Sequence, residues 1–488
     1  MNKRKTPIMG WASWNCFRTG ITEEKIKEQA ELLVKTGLAE HGYTYVNIDD
    51  GFFGGRDRNG NIIANAERFP NGMGIVADYI HRLGLKAGIY ADGGDNTCGY
   101  YYDNEGKNGE KVGLYGHEEQ DLRKYLLEWD YDFIKVDWCG GLRLGLDEEE
   151  QYGKIGRIIK RLEEEKDREI IYNVCRWQFP GEWVAKTASS WRVGSDIAPD
   201  FVSCMHQLDM ARPLRKYCSP GHFNDLDMLQ IGNGMTKTED AAHFAMWCMA
   251  ATPLMIGCDL TRISQDTLEI LTNDELIAIH QDEACQQGFV AKEQYENGKL
   301  QAQIWVKDLE REHSPVKAAA FLNRDTKRVS IRATLNELGL GRTPGDVLEV
   351  RDVGSHRNLA ISDEWEVILE PHECKVFKVR ASCALDLEDH TEAIRLDDME
   401  KISWEKALKL AGEGAVLIDV RTVQEFASGH EEGAVSVPYM DIHAEAPTVL
   451  PDKNRALVTY CGTGKRSSQA AKSLKCLGYQ KVYYTVVS

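Results

Sequence analysis

Carboxylates recur at the ends of apolar runs over the first 285 or so residues, and the company they keep is mixed rather than purely acidic. Strand-like runs end at Trp14, at Asp49-Asp50, at Tyr90 and Asp92, at Lys135-Val136-Asp137, at Arg192 and Asp196, and at Asp225 and Asp227. A single Asp after a strand is an ordinary helix cap. A whole set brought to one place would repel itself unless a cation or a polyol sat among its members. An oxygen-ligand metal site would gather the Asp side chains but would not place Lys135 and Arg192 with them. A sugar site wants that mixture: carboxylates and cations for hydroxyls, Trp14 and Tyr90 for the apolar face of a ring.

Such residues need elements that bring them together. Runs near Met9–Trp14, Tyr43–Asp49, Leu85–Ala91, Phe133–Asp137, Ile170–Cys175, Ser190–Asp196, Asn224–Leu229 and Pro253–Cys258 read as strands. Helical patterns such as Glu23–Thr36, Glu118–Glu128 and Glu239–Ala250 lie between them. Eight βα units in this length predict a closed (β/α)8 TIM barrel, whose strand ends converge on one mouth. An open doubly wound sheet would want a glycine-rich phosphate turn after its first strand, and none is present. From about Glu293 the runs Gln301–Val306, Val316–Leu322, Arg328–Arg332, Val347–Val353, Trp365–Leu369 and Val376–Val379 predict an antiparallel β-sandwich. The expected organisation is a catalytic barrel over 1–288, the sandwich over 289–382, an acidic linker over 383–400 and a small α/β domain over 401–488.

The net charge of −18 argues against a nucleic-acid partner, whose binding rests on Lys and Arg neutralising phosphates. It also disfavours an anionic membrane surface, and no run of about 18 apolar residues reads as a membrane span. The start MNKRKTPIMGWASWNCF has a basic flank without an apolar core, so a signal peptide is not expected and a cytoplasmic location is. Thirteen Cys without CxxC or HExxH spacing give no zinc framework, and most are expected as buried thiols. Self-association is left open.

The segments MGWASWN, YVNIDD, RFPNGM, LGLKAGIYAD, HEEQD, FIKVDWC, SWRVGSDI, FNDLDML and ATPLMIGCD resemble glycoside hydrolase family 27, in order and spacing, over about residues 7–380. That family holds α-galactosidases, α-N-acetylgalactosaminidases and some β-L-arabinopyranosidases. The resemblance implies Asp137 as nucleophile and Asp196 as general acid/base of a retaining exo-hydrolysis of terminal α-D-galactosides. It also implies Asp49 and Asp50 on O4 and O6, Lys135 on the O3/O4 edge, Arg192 on the O2/O3 side and Trp14 on the ring face. Tyr90, Asp227, Cys175, Arg176 and Trp177 would line the same pocket, with no cofactor and no metal. Lys135, two residues before Asp137 on one side of a strand, is expected to keep that carboxylate ionised. Asp196 is expected to gain a raised pKa from carboxylates around it.

The chain departs from the family in two places. Cys175-Arg176-Trp177 stands where the α-galactosidase pattern has Cys-Glu-Trp, so a cation replaces the acceptor beside O2. Either Arg176 pairs with a neighbouring carboxylate or the preference at the 2-position differs. Asp49-Asp50-Gly51-Phe52 also lacks a Cys of the family pattern. Cys98 and Cys139 match another family pair, which a reducing cytoplasm would favour as thiols.

The last segment, with AVLIDVR, EFASGHEEGAVSVP and LVTYCGTGKRSSQAAKSLKCLGY, resembles a rhodanese domain. Cys461 would follow a strand and face backbone N–H groups at a helix start, which lowers a thiol pKa and would support a persulfide. Arg466 would add positive charge. A Cys-based phosphatase loop needs one more residue between its Cys and Arg. The resemblance leaves one reading from a different class: a sulfur carrier whose barrel only binds sugar.

Overall fold

The short apolar runs pair in parallel, side by side. In the computed structural model, which describes residues 4–343, 345–387, 400–439, 442–477 and 479–487, the chain divides into two compact units on either side of residue 391. In the first unit, β1 (Met9–Ala12), β2 (Tyr45–Asn47), β3 (Lys86–Asp92), β4 (Phe133–Asp137), β5 (Ile171–Val174), β6 (Ser190–Arg192), β7 (Phe223–Asp225) and β8 (Leu254–Ile256) form one eight-stranded parallel sheet in the order β8-β1-β2-β3-β4-β5-β6-β7. A parallel bridge from Leu229, beyond β7, to Ile256 of β8 joins the two ends of that order. Apart from β3 and β4, the strands are shorter than the apolar runs, and β6 stops at Arg192 rather than at Asp196.

Helices fill the connections: α1 (Trp14–Phe17), α2 (Glu23–Lys35), α3 (Met73–Arg82), α4 (Cys98–Tyr102), α5 (Glu118–Arg123), α6 (Cys139–Leu144) and α7 (Glu148–Lys166), then α8 (Phe201–Ala211), α9 (Lys237–Ala250), α10 (Gln265–Leu271) and α11 (Asp274–His280). Several polar residues after strands are helix caps and nothing more. Asp147 accepts from Glu150 N–H at the start of α7 and Asp200 from Ser203 N–H at the start of α8, while Thr236 and Glu239 form a reciprocal capping box on α9. Inside the barrel Ile8, Ala12, Tyr45, Phe133, Ile171, Met228 and Met255 form an apolar cluster.

After the barrel come β9 (Phe289–Glu296), β10 (Lys299–Asp308), β11 (Val316–Asn323), β12 (Val329–Thr334), β13 (Glu349–Asp352), β14 (Arg357–Leu359), β15 (Glu364–Leu369) and β16 (Cys374–Arg380). Six of them form an antiparallel sheet, β9-β10-β11-β16-β13-β14, and β12 pairs with β15. Their inward residues, among them Ile304, Phe321, Ile331, Val367 and Phe377, make one core. Cys383–Ala384 still pairs with Leu340–Gly341, so the first residues of the expected linker extend the sandwich. The rest of it, 388–399, lies outside the described residues.

The second unit is a five-stranded parallel sheet, β17 (Glu400–Lys401), β18 (Val416–Asp419), β19 (Val435–Ser436), β20 (Leu457–Cys461) and β21 (Val482–Val486), in the order β17-β21-β20-β18-β19. Its helices are α12 (Trp404–Gly412), α13 (Val423–Ser428), α14 (Ile442–Val449) and α15 (Lys465–Cys476). No helix among the described residues is long and apolar enough to cross a membrane.

Candidate active site

Strand register decides which side chains meet. Tyr90 on β3 pairs with Lys135 on β4, Asp92 with Asp137, and Lys135 with Asn173 on β5. Residues two apart on a strand share a side, so Lys135 and Asp137 point together, and Lys135 reaches the barrel axis. Its Nζ lies 2.9 Å from Asp49 Oδ2 and 3.5 Å from Asp137 Oδ1. One cavity inside the barrel is lined by Asp49, Lys135, Arg192 and Asp227 over the apolar cluster below, with Asn47 and Asn173 between them. Five strands or their continuations thus contribute to one place.

Burial dominates the electrostatics of the nucleophile position. It pushes the Asp137 carboxyl up to about 6, with Lys135 pulling it down and the fields of Asp49 and Asp196 adding to the rise. The cation therefore limits the rise instead of producing a depressed pKa, and the group is still ionised at neutral pH. The side chain of Cys175, beneath it, supports the ionised form.

Asp50 has its own cradle. Gly99 N–H donates to Oδ2 at 2.7 Å and Gly51 N–H to Oδ1 at 2.8 Å, while burial raises the carboxyl to about 7. Gly51 has φ 116°, and a Cβ there would lie 2.6 Å from the Thr19 carbonyl oxygen, so only Gly fits that turn. Tyr90 is fully buried, and its hydroxyl accepts from Cys98 N–H at 3.2 Å. It holds the start of α4 under the site.

On the opposite side, Arg192 is buried between acids. Its Nη2 donates to Asp196 Oδ1 at 3.0 Å, lies 2.7 Å from Asp227 Oδ2 and donates to the Ser195 carbonyl at 2.7 Å, while Nη1 reaches Cys175 Sγ at 3.7 Å. Asp227, at φ 75°, also accepts from Ile197 N–H, and burial offset by Arg192 puts it at about 6. Asp196 differs from the expectation. It stands four residues beyond the end of β6, its side chain is 65% exposed, and Arg192 rather than a ring of carboxylates is its neighbour. Around the mouth, burial raises the carboxyls of Asp50, Asp92, Asp137 and Asp227.

Contacts place the remaining residues. Arg176 is buried with Nε 2.6 Å from Glu148 Oε1 at the start of α7 and its guanidinium 5.8 Å from the Trp177 ring, so it pairs with a neighbouring carboxylate. Trp177 is half-buried at φ 58°. Cys98 and Cys139 are joined, not free, with Cα atoms 5.3 Å apart, and Cys98 Sγ lies 3.3 Å from Asp137 Oδ2. The register that sets Asp92 beside Asp137 brings α4 and α6 together there, which is why the two sulfurs meet. Asp92, Cys98 and Cys139 form the one cluster dense enough for a metal among the described residues, yet its sulfurs bind each other and Asp92 Oδ1 accepts from Gly94 and Gly140 N–H.

Trp14 opens α1 and is half-buried against the barrel's apolar cluster. Sequence reading missed Asn47 and Asn173, and named Asp225 at a strand end without giving it a role. Each stands two residues before a site residue and so shares its side of the strand, a signal that was available.

In the second unit, Cys461 ends β20 beneath the start of α15. Burial alone would raise its thiol, but hydrogen bonds from the Ser467 hydroxyl and from the N–H groups of Thr463, Ser467 and Gly464 outweigh it and bring the pKa below the ordinary value. The Gly464 and Ser467 nitrogens lie 3.2 and 3.3 Å from Sγ. Arg466 does not bring a free charge to the sulfur, because Glu425 holds it at 2.7 and 2.9 Å.

Comparison with known proteins follows the same division. Residues 6–282 match the family described as Alpha galactosidase A, residues 300–379 the Alpha galactosidase C-terminal beta sandwich domain, and residues 403–486 the Rhodanese-like domain. The chain is 40% identical over 334 residues to Alpha-galactosidase A of Cellvibrio japonicus, covering 66% of this chain and 76% of that one. It is 36% identical over 377 residues to an alpha-galactosidase of Oryza sativa subsp. japonica, covering 76% and 84%. Among solved structures, alpha-galactosidase I from Mortierella vinacea aligns with a TM-score of 0.68 at 27% identity, covering 78% of this chain and 98% of that one.

Proposed function

This chain belongs to the α-galactosidase family of glycoside hydrolases, family 27, and from that premise we propose that it removes terminal α-D-galactosyl residues with retention at the anomeric carbon. Asp137 attacks C1 as the bond to the leaving oxygen breaks, and Asp196 gives that oxygen its proton. Water then loses a proton to Asp196 and attacks C1, and the ester bond to Asp137 breaks, returning both groups to their starting forms. The observation that carries this reading is Lys135 Nζ set between Asp49 and Asp137, with the Arg192–Asp196–Asp227 group across the same barrel mouth. A buried carboxylate held ionised faces an exposed one that can exchange protons with solvent. Asp49 and Asp50 supply acceptors for O4 and O6, and Trp14 a ring face.

The test is hydrolysis of 4-nitrophenyl α-galactoside, with the first-formed anomer read by NMR. Retention with activity lost in Asp137→Asn supports the assignment, and undiminished turnover in that variant removes it. The pairing of Arg176 with Glu148 leaves the 2-position without the usual Glu acceptor. That observation keeps α-N-acetylgalactosaminide and β-L-arabinopyranoside as the second reading, decided by a panel of the three aryl glycosides.

For the second unit, the depressed Cys461 thiol supports a persulfide carrier. Sulfur transfer from thiosulfate to cyanide that is lost in Cys461→Ser is the expected result, and transfer unchanged in that variant would remove the role.

A further inference from the structure

Asp92 has no part in the chemistry above, yet it is fully buried at the end of β3 with one oxygen unanswered. Its Oδ1 accepts from Gly94 N–H at 2.7 Å and from Gly140 N–H at 3.0 Å, while Oδ2 is buried with no hydrogen-bond partner among the described residues. An orphaned buried carboxylate oxygen is costly, so its neighbours bear on its use. Beside it lie the sulfurs of Cys98 and Cys139, and one ligand atom from each of the three residues falls within 4.8 Å of the others. The loops that carry them approach without help from the disulfide. Gly93 N–H donates to the Asp137 carbonyl at 2.8 Å, and a Cβ on Gly94 would sit 2.0 Å from the Gly140 carbonyl carbon. Breaking the sulfur–sulfur bond therefore frees two thiols on backbones that stay together, with Cα atoms 5.3 Å apart.

We propose that the chain with this disulfide reduced holds a thiophilic divalent cation, of which zinc is the type, between Cys98, Cys139 and Asp92, and that the ion suppresses the nucleophile. Reduction gives the disulfide two electrons and two protons; a phosphine reductant leaves as its oxide, taking the oxygen of one water. Zinc then replaces the protons of the two thiols and of the Asp92 carboxyl, which pass to solvent. Two sulfurs about 2.3 Å from one tetrahedral zinc stand about 3.8 Å apart, the separation that two unbonded sulfurs take by their own radii. Asp92 Oδ2 is the oxygen ligand that completes the set, and a fourth position stays open. Thiolates select zinc over magnesium or calcium, which take oxygen ligands. Cys98 Sγ lies 3.3 Å from Asp137 Oδ2, so an ion on that sulfur draws the carboxylate whose electron pair must attack C1. A substrate that reaches Asp137 shows the ion its way in. The suppression rests on the reading above that Asp137 is the nucleophile; the metal site does not.

The experiment reduces the full chain with a phosphine, removes the reductant, and loads it with zinc or, as a coloured probe, cobalt. Bound metal is counted after dialysis beside the oxidised chain, Cys139→Ser and Asp92→Asn. The reduced chain should hold one zinc more than the oxidised chain, and its cobalt form should show the strong near-ultraviolet absorption of thiolate–cobalt bonds. Cys139→Ser should lose that ion, and reduced Asp92→Asn, which keeps both sulfurs, should hold it about tenfold more weakly. Zinc should abolish hydrolysis of 4-nitrophenyl α-galactoside by the reduced chain, chelation should restore it, and the oxidised chain should be unaffected. Equal zinc in the reduced and oxidised chains, unchanged affinity in both variants, or a disulfide that withstands the phosphine in the folded chain overturns the site. Zinc bound as expected while hydrolysis continues overturns the suppression. A chain that hydrolyses no α-galactoside in either state overturns instead the α-galactosidase reading, and the zinc count still decides the site.

Discussion

Lys135→Met removes the charge between Asp49 and Asp137 while keeping most of the side-chain volume, and its effect can be worked from one distance. With Nζ 3.5 Å from Asp137 Oδ1 and an effective dielectric constant of about 20, the lost attraction is about 5 kcal/mol, or about three pKa units. Asp137 starts at about 6 because burial outweighs the cation. Without Lys135 its acid limb should move to about 9. At pH 7 the ionised fraction would fall from about nine-tenths to about one-hundredth, so kcat/KM should drop on the order of 10²-fold and recover as pH rises. Breaking a buried pair also costs about 3–5 kcal/mol of stability, so the profile should be taken well below the variant's thermal midpoint. The assay is kcat/KM for 4-nitrophenyl α-galactoside from pH 5 to 10. If the limb stays near 6 and activity falls uniformly, Lys135 acts on the sugar alone and the electrostatic argument fails.

Asp196→Ala should lower kcat by about 10²–10⁴-fold on substrates with a poor leaving group, and much less on activated aryl glycosides that need no proton; equal losses on both would count against the acid role. Arg176→Ala breaks a buried ion pair with Glu148 and should cost about 3–5 kcal/mol in denaturant unfolding; a change under about 1 kcal/mol would mean that this pair adds little to stability. Burial holds His243 and His280 near 3, below the ordinary value of an unfolded chain. The stability this contributes is complete above about pH 6.5 and is lost as pH falls toward 3, by up to about 1.4 kcal/mol per pH unit for each group. His243→Gln should therefore flatten the fall of the urea midpoint between pH 6.5 and 4, and an unchanged slope would refute the assignment.

What the sequence made legible follows from what a strand period can report. The eight parallel strands, the sandwich core and the shared orientation of Lys135 and Asp137 all come from local patterns of two, repeated within a few residues. Asn47 and Asn173 obey the same period and could have been read from it. Partners set by the closing of the barrel could not, because they join residues far apart. Glu148 is 28 residues from Arg176, and Cys98 meets Cys139 only because β3 and β4 lie side by side. The same limit explains Asp196. Its motif marks it, but its place depends on a loop that leaves β6 at Arg192, and no pattern along the chain says how such a loop stands. That division suits the chemistry proposed for the two carboxylates. A nucleophile must arrive along one line at C1, so a rigid strand end braced by Lys135 and the disulfide suits Asp137. The acid/base must give a proton to one oxygen and take one from another, so a group on a loop, held by Arg192 yet open to solvent, suits Asp196. A loop placement that sequence patterning cannot predict is thus the one that this half of the reaction calls for.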